Sequence, residues 1–255
     1  MQLIDTHTHL YLPEFDTDRD EMVSRAVSSG IVKMLMPNID IQSVNLMLNC
    51  QIRYPDICYP MIGLHPTSVK ADYLSQLDIL EDLNKKHRFI AIGEIGIDLF
   101  WDKTFLSEQL IALERQITFA LENQLPVVIH ARESFPEVFS VLEKFKGKNL
   151  KGVLHAFSGT IYDAEKAVKM GFKLGIGGIV TFKNSGLDKV VKEIGPQDII
   201  LETDSPYLAP APYRGKRNES SYICIINKKL AEIFEMSEEE IGSITFYNST
   251  RLFNF

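Results

Sequence analysis

The sequence predicts an α/β fold, a (β/α)8 TIM barrel with a metal site at the C-terminal ends of its strands. Three observations predict it. Short apolar, often β-branched runs alternate eight times with longer amphipathic stretches, the pattern of parallel strands joined by helical crossovers. The length of 255 residues suits that closed solution. Five of the six histidines fall at the C-terminal ends of the expected strands, the reactive face of such a barrel. An open doubly wound sheet is the competing solution, but no GxGxxG follows the first strand.

The elements follow in order. LIDTH (3–7) leads to a helix over 17–29, VKMLMPN (32–38) to one over 40–53, and YPMIGLH (59–65) to one over 71–86. FIAIGEIGI (89–97) precedes a helix over 105–124, in which Leu110, Leu113, Ile117, Ala120 and Leu121 recur at helical spacing. PVVIHA (126–131) leads to 135–145, GVLHAF (152–157) to 161–170, FKLGIGG (172–178) to 186–194, and DIILETD (198–204) to 221–235. A last helix is expected over 237–247. Gly30, Gly147, Gly171 and Gly195 stand where helices should stop. No repeat, low-complexity tract or Gly/Ser-rich linker divides the chain, so residues 1–255 are expected to form one domain.

Composition narrows the classes. Hydrophobic residues make up 45% and charged residues 24%, which excludes the disordered and fibrous extremes. The net charge of -7 argues against gripping a long duplex through a basic surface, so any nucleic acid must be held locally. Cys50, Cys58 and Cys224 are odd in number and form no CxxC, so buried free thiols are expected rather than a disulfide framework. Neither a signal-peptide pattern nor an apolar run of about 18 residues is present, and a reducing cytoplasm is the expected setting, with no membrane and no obligate protein partner.

His7 and His9 close strand one, His65 strand three, His130 strand five and His155 strand six, while Glu94 lies late in strand four and Asp204 closes strand eight. Alone, a strand-end histidine is ordinarily a hydrogen-bonded structural residue, and an Asp before Ser-Pro a turn or cap. Together on one rim they read as a metal centre. Alternation puts Asp5, His7 and His9 on one parity, so the two imidazoles converge and Asp5 is placed to fix an imidazole tautomer behind them. Imidazole and carboxylate suit Mg, Mn, Zn, iron or cobalt. So many ligands exceed what one catalytic ion with an open position takes, and match two ions roughly 3.5–4 Å apart that share an activated water. Glu94, central among the strands, is the bridge candidate.

Seven motifs stand in order: DTHTHL (5–10), GLHP (63–66), AIGEIGID (91–98), PVVIHAR (126–132), GVLHAFSG (152–159), LETDSPYLAP (201–210) and RGKRNE (214–219). Through them the whole chain resembles the TatD-type metal-dependent deoxyribonucleases, a branch of the amidohydrolase-like barrels. The resemblance implies two divalent ions, one held by His7, His9, Glu94 and Asp204, the other by Glu94, His130 and His155. It implies that Asp204 orients or deprotonates the attacking water and that His65 contacts a substrate phosphate. It also implies hydrolysis of ester bonds, commonly 3′-to-5′ trimming of single-stranded DNA. The chain departs from the pattern at Tyr11, where Asp is usual, at Ala156, where Cys is usual, and at Ser220, where Pro is usual. None of these removes a ligand. No lysine ends strand four to bridge the ions, so Glu94 fills that role.

Arg132, Arg214, Lys216 and Arg217, with His65, are the candidates for holding phosphate. Phe100 and Trp101, past strand four, are placed to stack on a base. Glu202 and Asp98 need partners that the sequence does not name. DNA, single-stranded or at 3′ ends, is the expected substrate. The alternative is a small-molecule amide, lactone or phosphoester hydrolase with the same ligands. A non-catalytic barrel is disfavoured because every candidate ligand is present.

Overall fold

Eight short parallel strands carry the apolar runs in the computed structural model, which describes residues 1–255. They are β1 (Leu3–Asp5), β2 (Ile31–Pro37), β3 (Cys58–Met61), β4 (Ile92–Asp98), β5 (Val127–Arg132), β6 (Gly152–Leu154), β7 (Phe172–Ile176) and β8 (Ile199–Leu201). The helices are α1 (Arg19–Ser28), α2 (Ile41–Arg53), α3 (Tyr73–Asn84), α4 (Leu106–Glu122), α5 (Phe135–Glu143), α6 (Ile161–Lys169), α7 (Leu187–Ile194), α8 (Ile223–Phe234) and α9 (Glu238–Phe253). Regular pairing joins β1 to β3 and β4 to β8 in sequence order. Backbone bonds outside the regular pairing close the two gaps: among them, Gly93 N–H donates to Ile62 O (2.9 Å), and Thr6 N–H donates to Leu201 O (3.0 Å). The result is the (β/α)8 barrel that the alternation predicts.

Two apolar layers follow from the strand period of two. Ile4, Leu35, Met61, Ala91, Val128, Val153 and Ile200, one from each of seven strands or strand edges, pack together inside the barrel. The opposite parity, including Leu3, Met34, Ile129, Leu154, Leu174 and Leu201, packs outward against the helices. The final helix runs beyond the expected 247 because its last turns have work to do. Leu252 and Phe253 plug the interior layer from below, and Asn248 Nδ2 donates to Ile199 O (2.8 Å). Capping boxes at Asp40/Ser43, Thr160/Asp163 and Ser237/Glu240 fix the starts of α2, α6 and α9.

Several strands end sooner than the apolar runs suggest. β1 stops at Asp5, β6 at Leu154 and β8 at Leu201, so His7, His9, His155 and Asp204 stand just past the strands. Their backbone still bonds to neighbours, with His155 N–H on Ile129 O (2.9 Å) and Asp204 N–H on His7 O (2.9 Å), which holds the rim firmly. Cys50 and Cys58 are buried free thiols and Cys224 is half-buried. No helix is long and apolar enough to cross a membrane.

Candidate metal centre

Glu94 owes its direction to an irregularity in β4. Ile92 and Ile95 both pack outward although they are three residues apart, which strict alternation forbids. The pairing register with β5 slips between them, and the slip turns Glu94 to the interior rim. Gly93, beside it, has no room for a side chain: a Cβ there would stand 2.6 Å from Val128 Cβ.

The two Glu94 oxygens face different groups of imidazoles. Oε2 lies 3.2 Å from His7 Nε2 and 3.9 Å from His9 Nε2. Oε1 lies 2.8 Å from His130 Nδ1, 3.4 Å from His65 Nε2 and 3.7 Å from His155 Nε2. Asp204, with left-handed backbone (φ 57°) that Asp tolerates, presents Oδ1 3.5 Å from His9 Nε2 and 3.7 Å from His155 Nε2. The rings of His7 and His155 stack at 3.4 Å. Three sets can each converge on one point: His7, His9 and Glu94; His7, His155 and Asp204; and His65, Glu94 and His130. Five histidines and two carboxylates from six strand ends therefore meet. His65 comes closer to the cluster than a purely substrate-side residue needs to.

A second layer orients the first. Asp98 Oδ2 lies 2.9 Å from His130 Nε2, and Glu202 Oε1 lies 3.0 Å from His155 Nδ1. These are the partners that Asp98 and Glu202 lacked in the sequence. Gly175 leaves space for Glu202, since a Cβ would come within 2.2 Å of its Oε2. His9 Nδ1 lies 3.1 Å from the hydroxyl of Tyr11, which itself donates to Pro37 O (2.7 Å). His65 Nδ1 lies 2.7 Å from Thr67 Oγ1. For His130 and His9 the ring nitrogen turned away from the cluster is engaged, which leaves the other as a lone-pair donor, whereas His65 Nδ1 accepts from Thr67 N–H (3.2 Å), which puts its proton on Nε2. Tyr11 thus supplies an oxygen at the position where Asp is usual. Asp5 does not orient an imidazole as expected. Its carboxylate accepts from Thr203 N–H (2.9 Å), Thr203 Oγ1 (2.6 Å) and His7 N–H (3.3 Å), because the backbone donors of the β8 rim reach it first.

The electrostatics call for a cation. Glu94 is 3% exposed, yet every ion pair that it and Asp204 make is with histidine, none with Lys or Arg. Burial pushes the Glu94 and Asp204 carboxyls up, but the surrounding imidazoles outweigh it and hold both below the usual range. Burial pushes His130 down, but its bonds to Asp98 and Glu94 carry it to about 9. Burial likewise lowers His155, and Glu202, Glu94 and Asp204 raise it to about 10. His7 and His65 are held down, chiefly by burial. Both ring nitrogens of His7 are buried with no hydrogen-bond partner. A buried orphan nitrogen beside unneutralised carboxylates is what a divalent ion would satisfy, so the donor set fits metal.

The rim cations fare differently. Arg132 lies over the Phe100 ring (3.8 Å to its centroid) and Arg214 over Phe182 (4.4 Å). Lys216 is exposed, its Nζ 6.0 Å from the Tyr213 ring centroid. Arg217 is not the free cation expected for phosphate. Its guanidinium grips both oxygens of Asp18 (2.6 Å each) and Glu14 O, and with the Arg25–Glu219 pair it fastens the loop to α1. A cleft of about 1340 Å³ lies at the other end of the barrel near Lys151, Lys169 and Arg251 and holds none of the cluster.

Comparison with known proteins agrees with this geometry. The family model described as TatD related DNase matches residues 4–254. A relative from Bacillus subtilis named as the uncharacterized metal-dependent hydrolase YabD is 37% identical over 252 residues, 98% of each chain. The 3'-5' ssDNA/RNA exonuclease TatD of Pectobacterium parmentieri is 28% identical over 257 residues, covering 98% of this chain and 99% of that one. Among solved structures, the TatD homologue YjjV of Escherichia coli superposes with a TM-score of 0.93 at 28% identity, covering 99% of this chain and 98% of that one. The chain belongs to the TatD-related DNase family of metal-dependent hydrolases.

Proposed function

We propose that residues 1–255 form one hydrolase domain that trims single-stranded DNA from its 3′ end, using two divalent ions such as Mg, Mn or Zn. The observation that carries this reading is the division of Glu94, one oxygen toward His7 and His9 and the other toward His130, His65 and His155. One carboxylate serving two imidazole groups is the arrangement of a bridging ligand. His7, His9, Glu94 and Asp204 would hold one ion, and Glu94, His130 and His155 the other. When bound, the ions supply a nucleophile at neutral pH and neutralise charge on the phosphodiester.

The side chains do the rest. Asp204 is the more exposed carboxylate, 15% against 3% for Glu94, so it is the one that incoming water meets. Its Oδ1 faces the imidazoles, which leaves Oδ2 to take the proton of the attacking water. Asp98, Glu202 and Tyr11 hold His130, His155 and His9 in the tautomers that keep their inner nitrogens free. His65, 13% exposed, reaches the rim and would donate to a phosphate oxygen, and the exposed Arg214 and Lys216 are further cations for the backbone. The relatives named as 3'-5' ssDNA/RNA exonucleases support nucleic acid as substrate. The three free cysteines fit a reducing, cytoplasmic setting.

The test uses protein stripped of metal, reloaded with Mg, Mn or Zn, and incubated with a 5′-labelled single-stranded oligonucleotide. A ladder shortening from the 3′ end, absent with chelator and in Asp204→Asn, is the expected result. An intact oligonucleotide under every metal, with metal bound, overturns it in favour of a small-molecule amide, lactone or phosphoester substrate.

A further inference from the structure

We infer that Phe100, Trp101 and Arg132 form a stacking platform for the terminal nucleobase of a single strand, pinned to the metal cluster by Asp98. The inference takes its class of ligand from the phosphodiesterase reading, but its principal readout does not depend on turnover.

Two large aromatic side chains stand in the open where burial would be favourable. Phe100 is 47% and Trp101 70% exposed, and their rings meet edge to face at 4.9 Å. Arg132 closes the third side, its guanidinium carbon 3.8 Å from the Phe100 centroid and 5.4 Å from that of Trp101. It forms no ion pair with any carboxylate, so its charge is left for a ligand. The loop is not adrift: Leu99 N–H donates to Arg132 O (3.0 Å), and Lys70 pairs with Asp102 (3.3 Å) on the far flank.

Asp98 connects this group to the chemistry. Its Oδ1 accepts from the backbone of Phe100 (3.0 Å) and Trp101 (3.2 Å), while Oδ2 meets His130 Nε2 (2.9 Å). One carboxylate therefore sets both the direction of a metal-type imidazole and the position of the exposed rings. A ligand resting on the rings is held in register with the cluster.

The ligand that suits this group is planar and carries negative charge beside the plane. A nucleobase stacks on Trp or on a guanidinium face, whichever base it is, and the Arg132 N–H groups remain free for the adjoining phosphate. A platform of this kind gives affinity without sequence preference, as end trimming requires. It also changes the part expected of Arg132, which contributes a stacking surface first and a phosphate donor second.

Trp101 is the only tryptophan in the chain, so its fluorescence reports on this site alone. The metal-loaded protein, with Mg or Zn, would be titrated with a phosphorothioate-linked oligothymidylate that resists hydrolysis, and with the same strand lacking its 3′-terminal base. Binding of both would be followed in parallel by anisotropy of a 5′ label. The expected result is quenching by the intact strand and little by the base-free one. Trp101→Ala should weaken the intact strand by about 5- to 150-fold and leave the base-free strand unchanged, and Trp101→Phe should restore most of the difference. Equal quenching by both strands, equal weakening of both, or no binding of the intact strand overturns the platform. Cleavage of an ordinary strand is scored separately. Quenching without cleavage keeps the platform and removes the exonuclease reading, and cleavage without base-dependent quenching does the reverse.

Discussion

Replacing Asp98 with asparagine changes one atom and tests how the cluster is oriented. Asp98 Oδ1 already accepts from two backbone N–H groups, Phe100 and Trp101. An asparagine must keep its oxygen there, because its amide NH2 would clash with two donors. Its nitrogen then faces His130 Nε2, where the carboxylate oxygen stood at 2.9 Å. Two donors cannot share that contact, so the imidazole proton moves to Nδ1, the nitrogen turned toward Glu94 at 2.8 Å. That proton occupies the lone pair a metal would use. Loss of such an orienting partner typically costs 10- to 100-fold in metal affinity, roughly 1.4 to 2.8 kcal/mol. The assay is a competitive titration of zinc against a chromogenic chelator at pH 8. One class of sites should shift by that factor, the other should stay, and the melting temperature of the metal-free protein should change by a few degrees at most. Two zinc affinities identical to the parent would refute the tautomer argument.

Tyr11→Phe removes the oxygen that His9 Nδ1 meets and leaves Pro37 O without its donor in a buried place; about tenfold weaker binding of one ion is expected in the same titration, with stability reduced by about 1–2 kcal/mol in urea. His65→Ala separates two roles: if His65 serves the substrate, metal content holds at two ions while KM for the oligonucleotide rises, and loss of one ion by elemental analysis would make it a ligand. The pH dependence has a definite sign. His130 and His155 are raised to about 9 and about 10, so their contribution to the metal-free fold is fully present below about pH 6.5 and is lost as pH rises through 9 to 10. Thermal melts of chelated protein should fall over that interval while those of metal-loaded protein do not follow. Gly175→Ala drives a Cβ against Glu202 Oε2, and should destabilise by about 1–3 kcal/mol in urea while loosening His155 and one ion with it.

The barrel was legible because apolar runs, helical spacing and glycine stops all agreed along the chain, and the convergence of histidines followed from strand ends alone. What lay beyond reach was non-local. Asp98 meets His130 from 32 residues away, and Arg217 meets Asp18 from 199 residues away. Nothing in RGKRNE distinguishes an arginine that holds phosphate from one that fastens its own loop to α1. The inward turn of Glu94 depends on a register slip that alternation cannot forecast, although two glycines flanking it, Gly93 and Gly96, are a signal that the strand is irregular there. Asp5 failed for a related reason: parity in a strand predicts a common face only while the strand lasts, and β1 ends at Asp5 itself.

The net charge of -7 and a polyanionic substrate are compatible once the location of charge is considered. Glu94, Asp98, Asp204 and Glu202 gather at the rim, and their partners there are imidazoles rather than Lys or Arg. Without metal, the carboxylates at this end of the barrel favour the protonated forms of His130 and His155, the cationic partners they have there. On the two-ion reading, divalent cations in place of those protons would cancel the charge of the four carboxylates within a few ångströms, a range over which salt screens little. Attraction for a phosphodiester would then belong to the loaded centre and to the exposed Arg132, Arg214 and Lys216, not to the surface at large. On the proposed function, such a centre would grip one strand end and release the rest, which is the behaviour that stepwise trimming needs and that a broadly basic surface would oppose.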